Sequence, residues 1–120
     1  MLRRESCGSV KIISLDRDAL LARLKEIARR IRAEHPQVAE LRVFGSIARG
    51  DHVGLSDVDV LIVLADGESG DPIERIRSFY PYFDLPIGVD LLVFTQDELK
   101  CRREEGDPFI ERLWQESQLL

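Results

Sequence analysis

Two aspartates at the start of the most hydrophobic segment are the first residues of this chain whose spacing indicates chemistry. Asp57 and Asp59 open the segment 57–64 (DVDVLIVL). In a strand, residues i and i+2 project from the same face, with Cα atoms roughly 6.5–7 Å apart. Two carboxylates that close repel each other, and aspartate is depleted in strands, so a bound cation would explain the pair. The alternative is structural: both side chains lie at a solvated strand end, or Asp57 caps a turn.

A third aspartate has a similar position in the next apolar segment. Asp90 is the second residue of 89–94 (VDLLVF). If this strand lies beside the Asp57 strand, the two backbones are about 4.8 Å apart and three carboxylates converge. Such a cluster suits Mg²⁺, which takes few carboxylates, keeps waters and accepts phosphate oxygens. Asp57, Asp59 and Asp90 are therefore the candidate metal ligands, with Asp57 and Asp59 able to bridge two ions about 3.5–4 Å apart.

The dipeptide Gly45-Ser46 is a candidate anion site. It follows a predicted strand and precedes a predicted helical turn. Glycine lets the backbone turn sharply and lets a ligand approach closely, and the amides and hydroxyl at Ser46 can meet an anion at a helix N-terminus. Taken alone, Gly-Ser after a strand is an ordinary turn. Arg49 either binds phosphate or pairs with a surface acid such as Asp51. His52 either contacts a phosphate or is a solvent-exposed loop residue, and the exposed loop residue is the favoured interpretation.

The elements that must position these residues alternate along the chain. The hydrophobic pattern and the turn residues predict strands over 9–14, 41–44, 57–64 and 89–94, a helical turn over 47–49, and helices over 16–35, 72–80, 96–104 and from Asp107 onward. This order indicates an α/β (α+β) fold, a small mixed β-sheet with helices packed on it. We expect one domain over residues 1–120, with core motifs in 41–94 and C-terminal helices in 96–118.

Local signals support the predicted helices. In the first helix Leu20, Leu24, Ile27 and Ile31 recur at steps of four and three, and Ser14 or Asp16 is placed to cap its start. Pro72 stands at the first position of its helix. Thr95 and Glu98 are spaced as a capping box.

Composition and charge exclude several classes of protein. The 120 residues carry 17 basic and 22 acidic side chains, a net charge of −5, with 44% hydrophobic residues, which excludes a disordered chain. Residues 36–120 alone have a balance of −9, which argues against a dedicated nucleic-acid groove. The longest apolar run, 60–65 (VLIVLA), is too short to span a membrane, and the N-terminus lacks a secretory h-region. Cys7 and Cys101 have no metal-site spacing, so we expect a reducing, cytoplasmic location.

The motif GSIARGD…SDVDVLIV resembles the minimal nucleotidyltransferases (MNT proteins) of the DNA polymerase β-like nucleotidyltransferase superfamily. Ten residues separate Ser46 from Asp57-Val58-Asp59, and a later apolar strand carries Asp90. The resemblance implies a palm-like sheet with helices on one side. It implies that Asp57 and Asp59 bind metal, that Asp90 also helps to activate the attacking hydroxyl, and that Gly45 and Ser46 hold the β- and γ-phosphates; Arg49 lies in the motif without a settled role.

The resemblance also implies an activity and a partner. MNT proteins are often encoded beside a HEPN-domain protein and act as antitoxins that transfer AMP from ATP, with Mg²⁺, to a tyrosine of the HEPN toxin. We therefore expect an Mg²⁺-dependent protein adenylyltransferase with a HEPN-type toxin as partner. The alternatives are a non-catalytic antitoxin that masks its toxin, and a small-molecule nucleotidyltransferase that acts as a homodimer.

The segment after Phe94 bears on how the acceptor is presented. Its 26 residues allow two short helices but no acceptor-binding domain, so we expect another chain, or a second copy of this one, to bring the acceptor. Phe109, Ile110, Leu113 and Trp114 either form the docking face for that chain or pack onto this chain's own sheet, and packing is the favoured interpretation. Tyr80 and Tyr82 are interpreted as core or surface aromatics.

Overall fold

The computed structural model describes residues 2–7, 10–15, 17–45, 48, 57–65, 71–85 and 87–120. Its strands are β1 (Leu2–Cys7), β2 (Val10–Leu15), β3 (Val38–Phe44), β4 (Val58–Leu64), β5 (Val89–Thr95) and β6 (Gln118–Leu119). Its helices are α1 (Arg17–Glu34), α2 (Pro72–Phe79), α3 (Gln96–Glu104) and α4 (Pro108–Glu116), with a 3₁₀ turn over Tyr80–Tyr82. None of the helices in these ranges is long and apolar enough to cross a membrane.

The main sheet has four strands in the order β5-β4-β3-β6. β4 and β5 are parallel neighbours, whereas β3 is antiparallel both to β4 and to β6. A parallel pair needs a crossover connection, and α2 lies in the segment that connects β4 to β5. The chain therefore forms a small α+β domain with a mixed sheet, which confirms the predicted fold class.

Helices cover both faces of this sheet. On one face, Val58, Val60 and Ile62 of β4 pack with the buried face of α1 and with Phe79 of α2. On the other face, Leu61 and Val63 pack with Leu99 of α3 and with Ile110 and Leu113 of α4. The expectation of helices on one side only is wrong, because β4 is apolar on both faces over 60–64 and each face needs a cover.

The predicted helix signals are confirmed where the structure describes them. α1 buries Leu20, Leu24, Ile27 and Ile31 along one stripe. Pro72 opens α2, as predicted, and the Asp71 carboxylate, which was not predicted as a cap, accepts from the Ile73 N–H. Thr95 and Glu98 form the reciprocal capping box of α3. The predicted caps of α1, Ser14 and Asp16, lie outside the residues whose side chains are described.

Two elements differ from the sequence prediction. The sequence predicts a short edge strand over residues 9–14. β2 instead pairs with β1, which is not predicted from the sequence, in a separate two-stranded antiparallel sheet. β6 was not predicted either, because two residues carry no periodicity. β6 is held by its pairing with Arg42 and Val43, and by the next residue, Leu120, whose N–H donates to the Leu41 carbonyl at 2.9 Å.

Candidate functional site

The register of the parallel strands brings two of the predicted acids together. Asp59 of β4 is directly opposite Asp90 of β5. On its other side, Asp59 is the cross-strand partner of Phe44, the last residue of β3. The condition on which the expected convergence depends, that the two aspartate-bearing strands are neighbours, is therefore met for Asp59 and Asp90, and the residue before Gly45 lies beside the same pair.

Alternation along β4 and β5 determines which face carries these side chains. Asp59 alternates with Leu61 and Val63, and Asp90 alternates with Leu92 and Phe94. Those apolar residues pack beneath α3 and α4, so both aspartates belong to the face that these two helices cover. Asp59 and Asp90 lie at the N-terminal ends of their strands, beyond the residues that contact the helices.

A cavity of about 560 Å³ opens at this place. Gly45, Asp59 and Asp90 line it from the sheet side, and α4 lines it from the other side. Asp59 is partly buried, whereas Asp90 is exposed. The cavity therefore has a carboxylate-bearing wall that solvent and ligands can reach.

Gly45 fits closely against the Asp59 carboxylate. Its backbone has φ = +74°, a left-handed conformation that side-chain-bearing residues rarely adopt. A Cβ at this position would overlap Asp59 Oδ2 and would lie 3.3 Å from Asp59 Cγ. Glycine is thus required both by the turn and by the acid, because the Asp59 carboxylate occupies the space that a Cβ would fill.

Asp57 is positioned by a different glycine. A Cβ at Gly88 would lie 2.5 Å from Asp57 Oδ1 and 2.9 Å from its Cγ. The Gly88 carbonyl accepts from the Val58 N–H at 3.0 Å, which ties the chain before β5 to the start of β4. Asp57 is exposed and directly precedes β4.

The three aspartates do not form a ready-made metal cluster within the described part of the chain, where no group of three His, Cys, Asp or Glu side chains meets the geometry of a metal site. Asp59 and Asp90 share a cavity, and Asp57 lies beside Gly88, so the convergence of all three remains a prediction. The donor set itself suits Mg²⁺, since it consists of carboxylate oxygens, two of whose residues, Asp59 and Asp90, line an open cavity. Ser46, Arg49 and His52 lie outside the described residues.

One face of α4 forms the opposite wall of the cavity. Phe109, Arg112, Leu113 and Glu116 line it, at the i, i+3, i+4 and i+7 positions of a single helical face. The Arg112 Nε lies 3.5 Å from Glu116 Oε1. Arg112 and Glu116 were not identified as site residues from the sequence. The available signal was their helical spacing from Phe109 and Leu113, which places all four residues on one face of α4.

The aromatic and apolar residues of α4 divide between packing and exposure. Ile110 and Leu113 are buried against the sheet, as the packing interpretation predicts. Trp114 is partly buried, with the Arg42 guanidinium 4.1 Å and the Arg103 guanidinium 5.0 Å from its ring centre. Phe109 remains 55% exposed at the cavity.

Two titratable groups outside the cavity have shifted pKa values with structural causes. The Thr95 N–H, which donates to Glu98 at 2.8 Å, and the Arg75 guanidinium at 2.6 Å hold the pKa of Glu98 below its usual range. The hydrogen bond that Tyr82 donates to Glu34 raises the pKa of Tyr82, and burial adds to this effect. Glu98 fixes the start of α3, and Tyr82 ties the 3₁₀ turn to α1, so both act on the fold.

Comparison with known proteins agrees with this arrangement. A family model described as "Nucleotidyltransferase domain" matches residues 24–118. A comparison with curated proteins finds no match. Among solved structures, the chain is similar to a protein of Sulfolobus solfataricus described as a "putative nucleotidyltransferase", with a TM-score of 0.62 and 22% sequence identity. The similarity covers 86% of this chain and 80% of the other, and at that identity it shows a shared fold.

Proposed function

The chain belongs to the family of nucleotidyltransferase domains, and from that premise we propose that it transfers AMP from ATP to a hydroxyl group of a partner protein. The family supports a transferase that uses a nucleoside triphosphate. The observation that carries the proposal is the Asp59–Asp90 pair, directly opposite each other in one open cavity beside Gly45. Phosphoryl-group chemistry depends mainly on positioning and charge neutralisation, and this wall would contribute to both by holding a cation.

Asp57, Asp59 and Asp90 would hold Mg²⁺ in this proposal, as one ion or two. When bound, the metal lowers the pKa of the attacking hydroxyl and neutralises charge on the leaving pyrophosphate. The carboxylate oxygens are the ligand type that Mg²⁺ prefers. Gly88 and Gly45 leave room for the Asp57 and Asp59 carboxylates, respectively.

The remaining steps fall to side chains and backbone groups of this chain. Gly45 and Ser46 bind the β- and γ-phosphates, which fixes the direction of the leaving group. The acceptor oxygen attacks the α-phosphorus in line, a new O–P bond forms, and the bond to the bridging oxygen of pyrophosphate breaks. Asp90, at the exposed side of the pair, accepts the proton of the hydroxyl. Arg49 is proposed to contact the phosphates.

The partner in this proposal is a HEPN-type toxin, and the chain is its antitoxin. The motif GSIARGD…SDVDVLIV supports this assignment, because it is similar to that of MNT proteins. Asp90 is exposed, so a protein hydroxyl can reach the acid that would deprotonate it.

The test is transfer of label from ATP with Mg²⁺ to a co-expressed HEPN-type partner. We expect label on a hydroxyl side chain of the partner, with a mass gain of one or more AMP units, and little label on this chain alone. Asp59→Asn should abolish transfer. Asp84→Asn, which changes an exposed aspartate outside the cavity, is the matched control and should leave transfer intact.

The same variants separate the alternatives. If Asp59→Asn protein still neutralises the toxin fully in cells, the chain acts by binding and masking its toxin and not by transferring AMP. If label passes instead to a small molecule and the active species is a dimer by light scattering, the protein acceptor is wrong.

A further inference from the structure

An aromatic side chain, Phe109, lies at the wall of the cavity that faces the aspartates. It lines the same cavity as Gly45, Asp59 and Asp90. It remains 55% exposed, although its neighbour Ile110 is completely buried. α4 thus directs Ile110 into the core, whereas the preceding residue, Phe109, lies at the cavity.

The Phe109 ring contacts a second aromatic ring although much of its own surface is uncovered. Phe109 is in the first turn of α4, where its N–H donates to the Asp107 carboxylate at 3.0 Å. Its ring meets that of Phe44 edge to face, with centres 6.4 Å apart and planes at 84°. Phe44 thus supports one side of the ring, and the exposed surface of the ring is available to a flat group that stacks on it.

The contact with Phe44 relates the ring to the phosphate end of the site. Phe44 directly precedes Gly45 and is the cross-strand partner of Asp59. The aromatic ring is thus one side chain away from the wall at which, on the proposed function, the triphosphate binds. In a nucleotide, a single ribose separates the base from the α-phosphate, so a base can reach this ring.

We propose that Phe109 is the surface on which the base of the bound nucleoside triphosphate stacks. This inference rests on the proposed function and adds to it the residue that recognises the nucleoside. Arg112 and Glu116, on the same helical face, place a donor and an acceptor at the cavity beside the ring. Stacking tolerates every base, because each has an aromatic face, and purines offer the larger contact area.

The experiment compares a nucleotide with the same phosphates lacking a base. Binding of a non-hydrolysable ATP analogue and of inorganic tripolyphosphate, each with Mg²⁺, is measured by calorimetry. Phe109→Ala should lower the affinity for the ATP analogue roughly fivefold to 150-fold, which is the range for losing one stacked base. Tripolyphosphate affinity should stay unchanged, because it has no base to stack.

Three further variants serve as controls. Phe109→Tyr keeps the aromatic face and should keep the affinity, whereas Phe109→Leu keeps apolar volume without that face and should lose most of it. Tyr80→Ala removes another aromatic side chain that is 50% exposed. Tyr80 follows α2, which packs on the opposite face of the sheet, so this variant should change the affinity for neither ligand. Thermal melting of each variant shows that the fold is intact.

Each remaining outcome overturns the inference in a distinguishable way. If wild-type protein binds neither ligand, the proposed function fails and the inference with it. If wild type binds both and Phe109→Ala binds the ATP analogue equally well, only the stacking is wrong. If Phe109→Ala lowers the affinity for both ligands equally, the ring acts on the phosphate-binding part of the site and not on the base. If both affinities are intact while transfer to the partner falls, the ring contacts the acceptor and not the base.

Discussion

Two glycines with nearly the same positive φ angle allow the Asp59 site to be tested by a matched pair of substitutions. Gly45 has φ = +74° and Gly106 has φ = +76°. Gly45 packs against the Asp59 carboxylate, whereas a Cβ on Gly106 would meet no atom within 4 Å. Gly106 ends α3, with its N–H donating to the Arg103 carbonyl at 3.1 Å. Alanine therefore imposes the strain of a positive φ at both positions, but crowds the Asp59 carboxylate only at position 45.

The strain and the crowding have different expected magnitudes. A left-handed residue with a Cβ costs about 1–2 kcal/mol, so both variants should lose roughly that much stability. At Gly45, restoring ordinary van der Waals contact of about 3.5 Å requires Asp59 or the turn to move by about 1 Å. A misplacement of about 1 Å can cost on the order of 100-fold in rate. Gly45→Ala should thus lose about two orders of magnitude in AMP transfer, while Gly106→Ala transfers at the wild-type rate.

Two assays follow from this comparison. The first is the initial rate of label transfer from ATP to the partner, at a temperature well below the melting point of both variants. The second is a double-mutant cycle by chemical denaturation, with Gly45→Ala and Asp59→Ala alone and combined. Removing the Asp59 carboxylate relieves the overlap, so the alanine at position 45 should cost less in the double mutant, by about 0.5–3 kcal/mol. Equal transfer rates in Gly45→Ala and Gly106→Ala, or a cycle without coupling, would refute the close packing of Gly45 on Asp59.

Three other outcomes are expected. The double variant Asp57→Asn with Asp59→Asn should lose calorimetric binding of Mg²⁺ with a non-hydrolysable ATP analogue; undiminished binding would contradict the metal site. Ser46→Ala should weaken ATP binding roughly tenfold or more, in line with the loss of one hydrogen bond to a charged group, with little change in melting temperature; a large melting shift with intact binding would assign Ser46 to the turn instead. Because the pKa of Glu98 is lowered from 4.5 by folding, its charge stabilises the fold above about pH 4.5, and this contribution is lost as pH falls through the lower folded value. The melting-temperature advantage of wild type over Glu98→Gln should accordingly shrink from neutral pH towards about pH 3, and an advantage that does not change with pH would contradict it.

The sheet and two of the acids could be predicted because their evidence is local in sequence. The apolar segments that contain Asp59 and Asp90 are long enough to identify as strands, and similar positions of the acids within them predict convergence if the strands are neighbours. The structure confirms that neighbourhood and adds the register, which no single strand encodes. The capping box of Thr95 and Glu98 could also be predicted from the sequence, because both residues lie within one helical turn.

What could not be predicted depends on contacts between distant segments. β6 has two residues, and its identity as a strand comes from pairing with β3 more than 70 positions away. The cavity wall formed by Phe109, Arg112 and Glu116 exists because α4 packs across the sheet face that carries the aspartates. The helical pattern of α4 alone does not predict which sheet face the helix covers or which residues lie near an acid. The role of Gly88 likewise emerges only when the chain before β5 lies against Asp57.

The position of the cavity follows from where the apolar cover of the sheet has to stop. Leu61 and Val63 are apolar and are covered by α3 and α4. Two residues earlier on the same face, Asp59 lies opposite Asp90, and burying two facing carboxylates under the same helices would cost far more than the area gained. The alternation that directs Leu61 into this core therefore directs Asp59 to the edge of it. The core ends where the charged pair begins, and the open space between that pair and the uncovered Phe109 is wide enough for a ligand.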